Sequence, residues 1–190
     1  MEATQKSEKF LSNPLKLSIY KINKEGKIFY VNNTLTKKTC CNKNELIGEN
    51  HNLLKHSEMP TVIQDMINAS LLKNSTYFSV NKNCTKNDRE FWTLNYYKPI
   101  HNNGYEVKMI KLPKKIKNVF IKLFNKLNKI EKNAGIKFAE KFINGFFEYK
   151  NLTNFQEFIF SIYGIEYKKT TNKKNTNNKL NFNLLQNLKY

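Results

Sequence analysis

The pattern of hydrophobic and polar positions predicts a β-hairpin near the start of the chain. Leu17 and Ile19 alternate with polar or amphipathic neighbours, which is the period of a strand, so residues 15–23 form the first predicted strand. Residues 23–26 have the composition of a turn and end in a glycine, and residues 27–31 return to strand character. Two strands joined by so short a turn predict an antiparallel pair.

The middle of the chain predicts helices. Pro60 or Thr61 opens a segment whose apolar residues recur at helical spacing, at Val62, Ile63, Met66, Ile67 and Leu71. Two shorter helical segments precede it, one over residues 34–41 and one that ends at Gly48. The candidate N-caps are Asn32 or Asn33 for the first segment and Asn42 or Asn44 for the second.

Three further strands are predicted after these helices. Residues 77–84, 89–100 and 105–112 have strand character, and turn-forming sequences separate them at residues 86–88 and 101–104. Two strands, a block of short helices and three consecutive strands predict an α+β domain. We expect one five-stranded antiparallel sheet with the short helices packed on one face.

Pro113 marks a boundary, and an amphipathic helix follows it. Its apolar residues recur at i, i+3, i+4 and i+7, at Ile116, Val119, Phe120, Leu123, Phe124, Leu127 and Ile130. Residues 136–149 and 155–163 predict two further helices that are rich in phenylalanine. Two interpretations are open: the helices fold back as a cap on the sheet, or part of the stripe is a surface for a partner protein.

These patterns divide the chain into four parts. Residues 1–14 form a polar leader, residues 15–112 the α+β domain, residues 113–167 a helical extension, and residues 168–190 a Lys/Asn/Thr-rich tail that is predicted to be disordered. The N-terminus lacks the apolar stretch of a secretory signal, and no apolar run is long enough to cross a membrane. We therefore expect a cytoplasmic chain without a membrane span.

The formal net charge of +18 raises the hypothesis of a nucleic-acid partner. Lysine supplies almost all of the positive charge, since Arg89 is the only arginine, and lysine and asparagine are spread through every segment. Proteins that bind nucleic acids specifically generally use arginine for bidentate contacts. A basic nucleic-acid-associated protein is therefore the less favoured interpretation, and we expect no specific nucleic-acid partner.

The residue types that carry catalysis do not form a recognisable motif. The sequence contains no paired-carboxylate motif, no G-x-S-x-G sequence and no glycine-rich phosphate loop, so we predict no enzymatic activity and no catalytic residue. The three cysteines, Cys40, Cys41 and Cys84, are an odd number, and two of them are adjacent. They predict neither a disulfide framework nor a zinc site.

Residues 51–60 are the segment with the densest candidate chemistry. His51, Lys55, His56 and Glu58 place two imidazoles, a cation and a carboxylate within eight residues. The two histidines lack a third ligand at metal-binding spacing, so we predict no metal site. A structural role is also open, in which the histidines cap helices and satisfy buried backbone groups.

Several short motifs place residues 26–92 close to a known family. The motifs are Gly26-Lys27-Ile28-Phe29-Tyr30-Val31-Asn32, Glu45-Leu46-Ile47-Gly48 and residues 51–60, followed by Lys82-Asn83, Lys86-Asn87 and Phe91-Trp92. In this order, and without a gap from Gly26 to Trp92, they resemble the flavin-binding PAS domain of bacterial aerotaxis receptors. The resemblance implies the PAS fold, which agrees with the order of predicted elements.

The resemblance also implies a cofactor, FAD, held between residues 51–60 and the strands that bear Tyr77 and Trp92. Lys55 takes the family's cationic position, and Tyr77 stands where the family has a stacking tryptophan. The cofactor-binding residues implied by position are Asn52, Lys55, His56, Glu58, Tyr77, Asn83 and Trp92. Such a site would supply apolar or aromatic stacking, hydrogen-bond donors and a cation for the pyrophosphate.

Some positions depart from the family's pattern. Ser79 replaces a glycine, and Asn95 and Tyr96 replace an alanine and an asparagine on a strand whose alternation points one of the two into the pocket. Two hypotheses therefore stay open. The chain retains the flavin, or it is a ligand-free PAS module that serves docking or dimerisation.

The function implied by the resemblance is signal transduction in aerotaxis or energy taxis. A flavoprotein of this kind reports redox or energy state, because a change at the flavin biases the protein between two arrangements. No methyl-accepting signalling domain is evident in the sequence. The expected partner is therefore a separate membrane-bound chemoreceptor or another signalling protein, and a homodimer is an open alternative.

Overall fold

The structure is a computed structural model that describes residues 17–101 and 104–163, so the predicted leader and disordered tail lie outside the described residues. The strands are β1 (Ser18–Ile22), β2 (Ile28–Val31), β3 (Tyr77–Cys84), β4 (Glu90–Ile100) and β5 (Gly104–Lys111). The helices are α1 (Asn33–Thr39), α2 (Lys43–Leu46), a 3-10 helix (His51–Leu54), α3 (Thr61–Leu72), α4 (Lys114–Ala134), α5 (Ile136–Tyr149) and α6 (Phe155–Ile162). None of these helices is long and apolar enough to cross a membrane.

The five strands form one antiparallel sheet in the order β2-β1-β5-β4-β3. The first and last strands of the chain therefore lie side by side inside the sheet, and β2 and β3 are its edges. The predicted α+β class, the single antiparallel sheet and its five strands are confirmed.

Asn32 joins the first hairpin to the helices that follow it. Its side-chain oxygen accepts hydrogen bonds from the backbone N–H groups of Ile19 and Leu35, each at 3.0 Å, and its amide donates to the carbonyl of Leu17 at 2.7 Å. Of the two candidate N-caps for α1, the structure uses Asn32. One side chain thus caps a helix and fixes where that helix leaves the sheet.

The sheet has two faces that pack against different helices. Directly opposed residues on neighbouring strands share a face, and Tyr20, Val107, Tyr97 and Tyr77 form one such row across four strands. The Tyr20 ring lies beside that of His51 in the 3-10 helix, with ring centroids 6.3 Å apart. We call this side, which α1–α3 and the 3-10 helix cover, the inner face.

The C-terminal helices cover the other side of β3 and β4, which we call the outer face. The ring centroid of Trp92 lies 5.2 Å from that of Phe124 in α4, and the centroid of Phe78 lies 5.2 Å from that of Phe160 in α6. The predicted stripe on α4 is buried at Ile116, Phe120, Leu123, Phe124 and Leu127. The helices fold back on the sheet, and this part of the stripe packs within the chain.

Candidate functional site

Residues 51–60 run along the free edge of β3. Lys55 and Asn83 form an isolated antiparallel bridge, and the His56 backbone N–H donates to the carbonyl of Lys82 at 3.1 Å. The Met59 sulfur accepts from the Lys82 backbone N–H at 3.4 Å. The segment therefore satisfies backbone groups that an edge strand would otherwise present to water.

Two of the predicted site residues in this segment are engaged with other protein groups. The His56 Nδ1 atom accepts from the backbone N–H of Glu58 at 3.1 Å. The Glu58 carboxylate forms an ion pair with Lys82, whose ammonium also lies 3.0 Å from the Glu90 carboxylate. These ion pairs lower the pKa of Glu58, and they lower that of Glu90 to about 2. The segment is thus fastened to β3 and β4 by charge as well as by its backbone.

The inner face carries a chain of buried polar side chains on β3 and β4, which we call the polar network. The Asn83 amide donates to the Thr93 hydroxyl at 2.8 Å, and that hydroxyl donates to the Asn95 side-chain oxygen at 2.6 Å. The amides of Asn95 and Asn81 both donate to the Tyr97 hydroxyl, at 3.4 and 3.2 Å. Hydrogen bonds within the network replace the apolar packing that is usual between a sheet and its helices.

The polar network is incomplete. The side-chain oxygen of Asn81 and the hydroxyl of Ser18 are buried and have no hydrogen-bond partner among the described residues. Ser18 shares the inner face with Asn95, because both residues lie opposite Met109. An unpartnered buried polar atom costs about 1–3 kcal/mol. The inner face therefore offers an acceptor and a hydroxyl that a ligand could satisfy.

A cleft of about 470 Å³ opens at one end of the inner face, and we call it the hairpin cleft. It lies between the β1–β2 turn, the 3-10 helix and the end of α3, and its walls include Asn23, Gly26, His51, Asn52, Asn68 and Tyr105. Gly26 has a φ of +77°, and a Cβ added there would lie 3.2 Å from the His51 Cδ2 atom. A glycine at this position therefore lets the turn approach the histidine closely.

His51 is neutral in the wall of this cleft. Only 9% of the residue is exposed, and burial, with a smaller effect from Lys55, lowers its pKa from 6.5 to about 4. A neutral imidazole carries one donor and one acceptor, so at neutral pH it is a hydrogen-bonding group without charge.

We expect the buried histidine to make the fold sensitive to mild acid. The pKa of His51 is lower in the folded chain than in the unfolded chain, so the unfolded chain takes up the proton first as pH falls. The free energy of unfolding therefore decreases between pH 6.5 and about 4. The loss should approach roughly 3 kcal/mol at the acid end of this window. Chemical denaturation of His51→Gln across these pH values should show a smaller acid loss than the native chain. A matched change at exposed His101 controls for losing a histidine, and identical acid profiles for all three proteins would contradict the assignment.

The opposite end of the inner face is positively charged. Lys111 is opposed to Thr93 of the polar network, and the Lys38 ammonium lies 5.1 Å from the centroid of the Phe91 ring. Burial and the charge of Lys111 lower the pKa of Lys38 to about 8. Within residues 17–101 and 104–163 no carboxylate forms an ion pair with Lys38. This end suits an anionic group.

The seven residues predicted as cofactor ligands do not form one pocket wall. Tyr77 and Asn83 lie on the inner face, and Asn52 lines the hairpin cleft. The other members of the 51–60 set, Lys55, His56 and Glu58, lie along the edge of β3.

Trp92 lies apart from the other six residues predicted as cofactor ligands, on the outer face of the sheet. Lys82 is opposed to Trp92, whereas Asn83 is opposed to Phe91, so Trp92 and Asn83 point to opposite faces. Trp92 is 5% exposed and packs against Phe124, while its Nε1 donates to Glu90 at 3.3 Å. It belongs to the core between the sheet and α4.

The inner-face residues that the sequence analysis missed are Ser18, Asn81, Thr93 and Tyr97. For Asn81 and Thr93 the signal is polar residues at every second position on two adjacent strands, at 79, 81 and 83 and again at 93 and 95. The choice left open between Asn95 and Tyr96 is resolved, since Asn95 lies in the polar network and Tyr96 contacts Phe78 on the outer face.

No protein-family model matches the chain, and no curated protein matches it by sequence. A light-oxygen-voltage domain from a study with a flavin analogue is 17% identical, with a TM-score of 0.50 over 64% of this chain and 93% of that chain. An RNA-binding light-oxygen-voltage receptor is 12% identical, with a TM-score of 0.49 over 63% of this chain. The aligned part is 35% of that receptor.

A domain of a sensory box sensor histidine kinase/response regulator from Geobacter sulfurreducens is also similar. It is 9% identical, with a TM-score of 0.46 over 57% of this chain and 94% of that chain. At 17% identity, the similarity to the light-oxygen-voltage domain with a TM-score of 0.50 establishes a shared fold and nothing about function. The sheet and its inner-face helices therefore have the fold of the PAS and light-oxygen-voltage sensor domains.

Proposed function

We propose that this chain is a PAS-type sensory module that binds a flavin on its inner face and reports redox or energy state to a separate signalling protein. The observation that carries the proposal is the incomplete polar network under the helices, with the unpartnered oxygen of Asn81. A stable fold tolerates such a group when a bound molecule completes its hydrogen bonds. The sequence resemblance favours FAD as the flavin and a membrane-bound chemoreceptor as the partner.

The side chains on the inner face fit the chemistry of a flavin. The pyrimidine edge of a flavin alternates acceptors with an N–H donor, and the carboxamides of Asn81, Asn83 and Asn95 offer both kinds of group. Lys38 and Lys111 supply positive charge for a phosphate. When bound, a flavin supplies reversible uptake of electrons and protons. In this proposal the unpartnered side-chain oxygen of Asn81 accepts a hydrogen bond from the flavin ring. The Tyr97 hydroxyl positions the side-chain amides of Asn81 and Asn95 by accepting a hydrogen bond from each.

A signal has a short route from the polar network to the C-terminal helices. Asn83 belongs to the network and also bridges to Lys55 in the 51–60 segment. In the same segment, the Glu58 carbonyl accepts from the Asn128 amide of α4 at 2.8 Å. A change in hydrogen bonding at Asn83 could therefore shift the segment and, through Asn128, the position of α4.

The test is an absorbance spectrum of the protein purified from its native host, combined with two leucine variants. The expected result is a flavin spectrum, with flavin released on denaturation. Asn81→Leu should lower the flavin affinity about tenfold or more, which corresponds to at least ~1.4 kcal/mol, or one lost hydrogen bond. The control is Asn144→Leu, at an exposed position of α5, which should leave flavin content unchanged. Equal flavin content in both variants would contradict the proposed site.

A ligand-free PAS module for docking or dimerisation is the second candidate. The observation in its favour is that the side chains of Asn83, Thr93, Asn95 and Tyr97 hydrogen-bond to one another and so already have partners within the protein. A colourless protein from the native host would support this candidate. Asn81→Leu would then leave stability unchanged or raise it, because it removes an unsatisfied buried oxygen while the Tyr97 hydroxyl keeps its bond from Asn95.

A further inference from the structure

Helices α4 and α5 enclose a groove of about 380 Å³ on the side away from the sheet. Its floor is apolar and its rim is basic. The floor residues are Val119, Leu123, Phe142 and Phe146, and Lys122 and Lys126 stand on the rim. This volume accommodates two or three side chains of another protein rather than a large ligand.

The apolar surface extends beyond the groove along α5. Phe138 and Tyr149 are 59% and 81% exposed, and helical spacing places both on the same face of α5 as half-buried Phe142. The Lys141 ammonium lies 5.8 Å from the Phe138 ring centroid, so lysines flank the stripe on α5 as well. A contiguous exposed aromatic stripe with a polar border is typical of a protein-protein contact.

Gly145 lies in the middle of this stripe. A Cβ added at Gly145 would meet no atom within 4 Å, so nothing in the described residues requires a glycine there. Glycine in the interior of a helix costs about 1 kcal/mol relative to alanine. A second helix that approaches the backbone of α5 closely would account for the missing side chain.

Charge decides which occupant suits the groove. The rim carries Lys122 and Lys126, and the Lys126 ammonium lies 5.8 Å from the Phe142 ring centroid. A second copy of this chain would bring the same lysines and a net charge of +18 to the contact. Residues 164–190 contain six lysines and one glutamate, so this segment would also add like charge. An acidic partner is the complementary choice.

We propose that the groove binds an amphipathic helix of a partner protein, with apolar residues at i, i+3, i+4 and i+7 and with Asp or Glu beside them. The apolar residues enter the floor between α4 and α5, and the carboxylates meet Lys122 and Lys126. Gly145 allows the close approach of the two helix backbones. The proposal rests on the proposed function only in that a sensory module needs a recipient for its signal.

The test uses the full chain and a fluorescently labelled synthetic helical peptide, with leucines at that spacing and glutamates beside them. Fluorescence anisotropy should show saturable binding, and a peptide with lysines in place of the glutamates should not bind. Gly145→Leu should weaken binding at least tenfold, because the new side chain meets no described atom and stands where the partner helix would approach α5. The double variant Lys122→Glu, Lys126→Glu should weaken it similarly. A thermal unfolding curve confirms that each variant is folded.

A charge-matched control separates the groove from general attraction between a basic chain and an acidic peptide. Lys37→Glu, Lys43→Glu changes the net charge equally, at exposed positions on helices of the inner face, and should bind as the native chain does. Equal weakening in both double variants, or no peptide binding at all, would overturn the proposal. A dimer that Gly145→Leu dissociates would assign the groove to a second copy instead, and preferential binding to phosphatidylglycerol vesicles would assign it to a membrane. If the purified protein is colourless and still binds the peptide, the flavin proposal fails and the groove proposal stands.

Discussion

A chain that ends at Leu112 is expected not to fold, although it contains every strand of the sheet. The outer face of β3 and β4 would lose its cover, since Trp92 packs on Phe124 and Phe78 packs on Phe160. Exposed apolar side chains on a sheet also promote association between sheets. We expect the fragment to be aggregated or molten, which its solubility and near-ultraviolet circular dichroism would show.

The size of the lost burial supports this expectation. Each large apolar side chain contributes about 1.5–3 kcal/mol when it is fully buried. Phe120, Phe124, Phe155 and Phe160 are each no more than 1% exposed, and all four leave with the helices. Their combined contribution is comparable with the whole stability of a domain, which is about 5–15 kcal/mol. The free energy of unfolding of the fragment is therefore expected to be close to zero or negative.

Single substitutions on α4 give a graded form of the same test. Phe120 contacts the rings of Phe124, Phe155 and Phe158, so Phe120→Ala should destabilise the full chain by about 3–5 kcal/mol in urea unfolding. Val119 is the next residue and is 40% exposed, so Val119→Ala should cost less than about 1 kcal/mol. A soluble, cooperatively unfolding fragment of residues 1–112 would contradict the expectation and would free the α4 stripe for a partner.

Periodicity in the sequence identifies the elements of this fold but not the two faces of its sheet. Alternation marks β1 as a strand, yet Ser18 is fully buried while Leu17 and Ile19 are only half-buried. Within β4, every residue from Trp92 to Asn95 is buried, because helices cover both faces. Strands buried on both sides carry no apolar-polar contrast that would show which residues face which helices.

The resemblance to a flavin site has the same limit. Matching Trp92 to a cofactor position fixes its strand, but the strand register places its side chain on the outer face against α4. From the sequence, the members of the polar network could be predicted only as polar residues within strands. Their hydrogen bonds run between β3 and β4, so they depend on how these two strands pair in the folded chain. The strand register places Asn81 opposite Thr93, so Asn83, two residues further along β3 on the same face, is a diagonal neighbour of Thr93. This register is set by the turn between β3 and β4.

The start of α3 shows where local sequence rules leave a gap that a distant residue fills. Pro60 occupies the N-cap and supplies no side-chain hydrogen bond to the first turn. The Glu131 carboxylate takes this role, accepting from the backbone N–H groups of Thr61 at 3.0 Å and Val62 at 2.8 Å. A helix without a local cap is thus a sequence signal for a cap from elsewhere, although the acceptor 70 residues away cannot be identified from it.

We expect Glu131→Ala to destabilise the chain by roughly 2 kcal/mol, because two N–H groups at the positive end of a helix dipole lose a charged acceptor. Urea unfolding at neutral pH measures the effect. The matched control is Glu140→Ala, which removes an exposed glutamate from α5 and should change stability by less than about 0.5 kcal/mol. Equal effects in the two variants would show that the contact between α4 and α3 adds nothing to stability.

The same substitution tests how the site communicates with the extension. Glu131 and Asn128 connect the end of α4 to the segment that borders the polar network, through Thr61, Val62 and the Glu58 carbonyl. If a flavin signal travels along this route, reducing the flavin should change hydrogen exchange in α4 of the native chain. In Glu131→Ala the response in α4 should be smaller while the flavin content stays the same. An unchanged response in α4 would mean that the signal leaves the sheet by another path, such as the packing of Trp92 on Phe124.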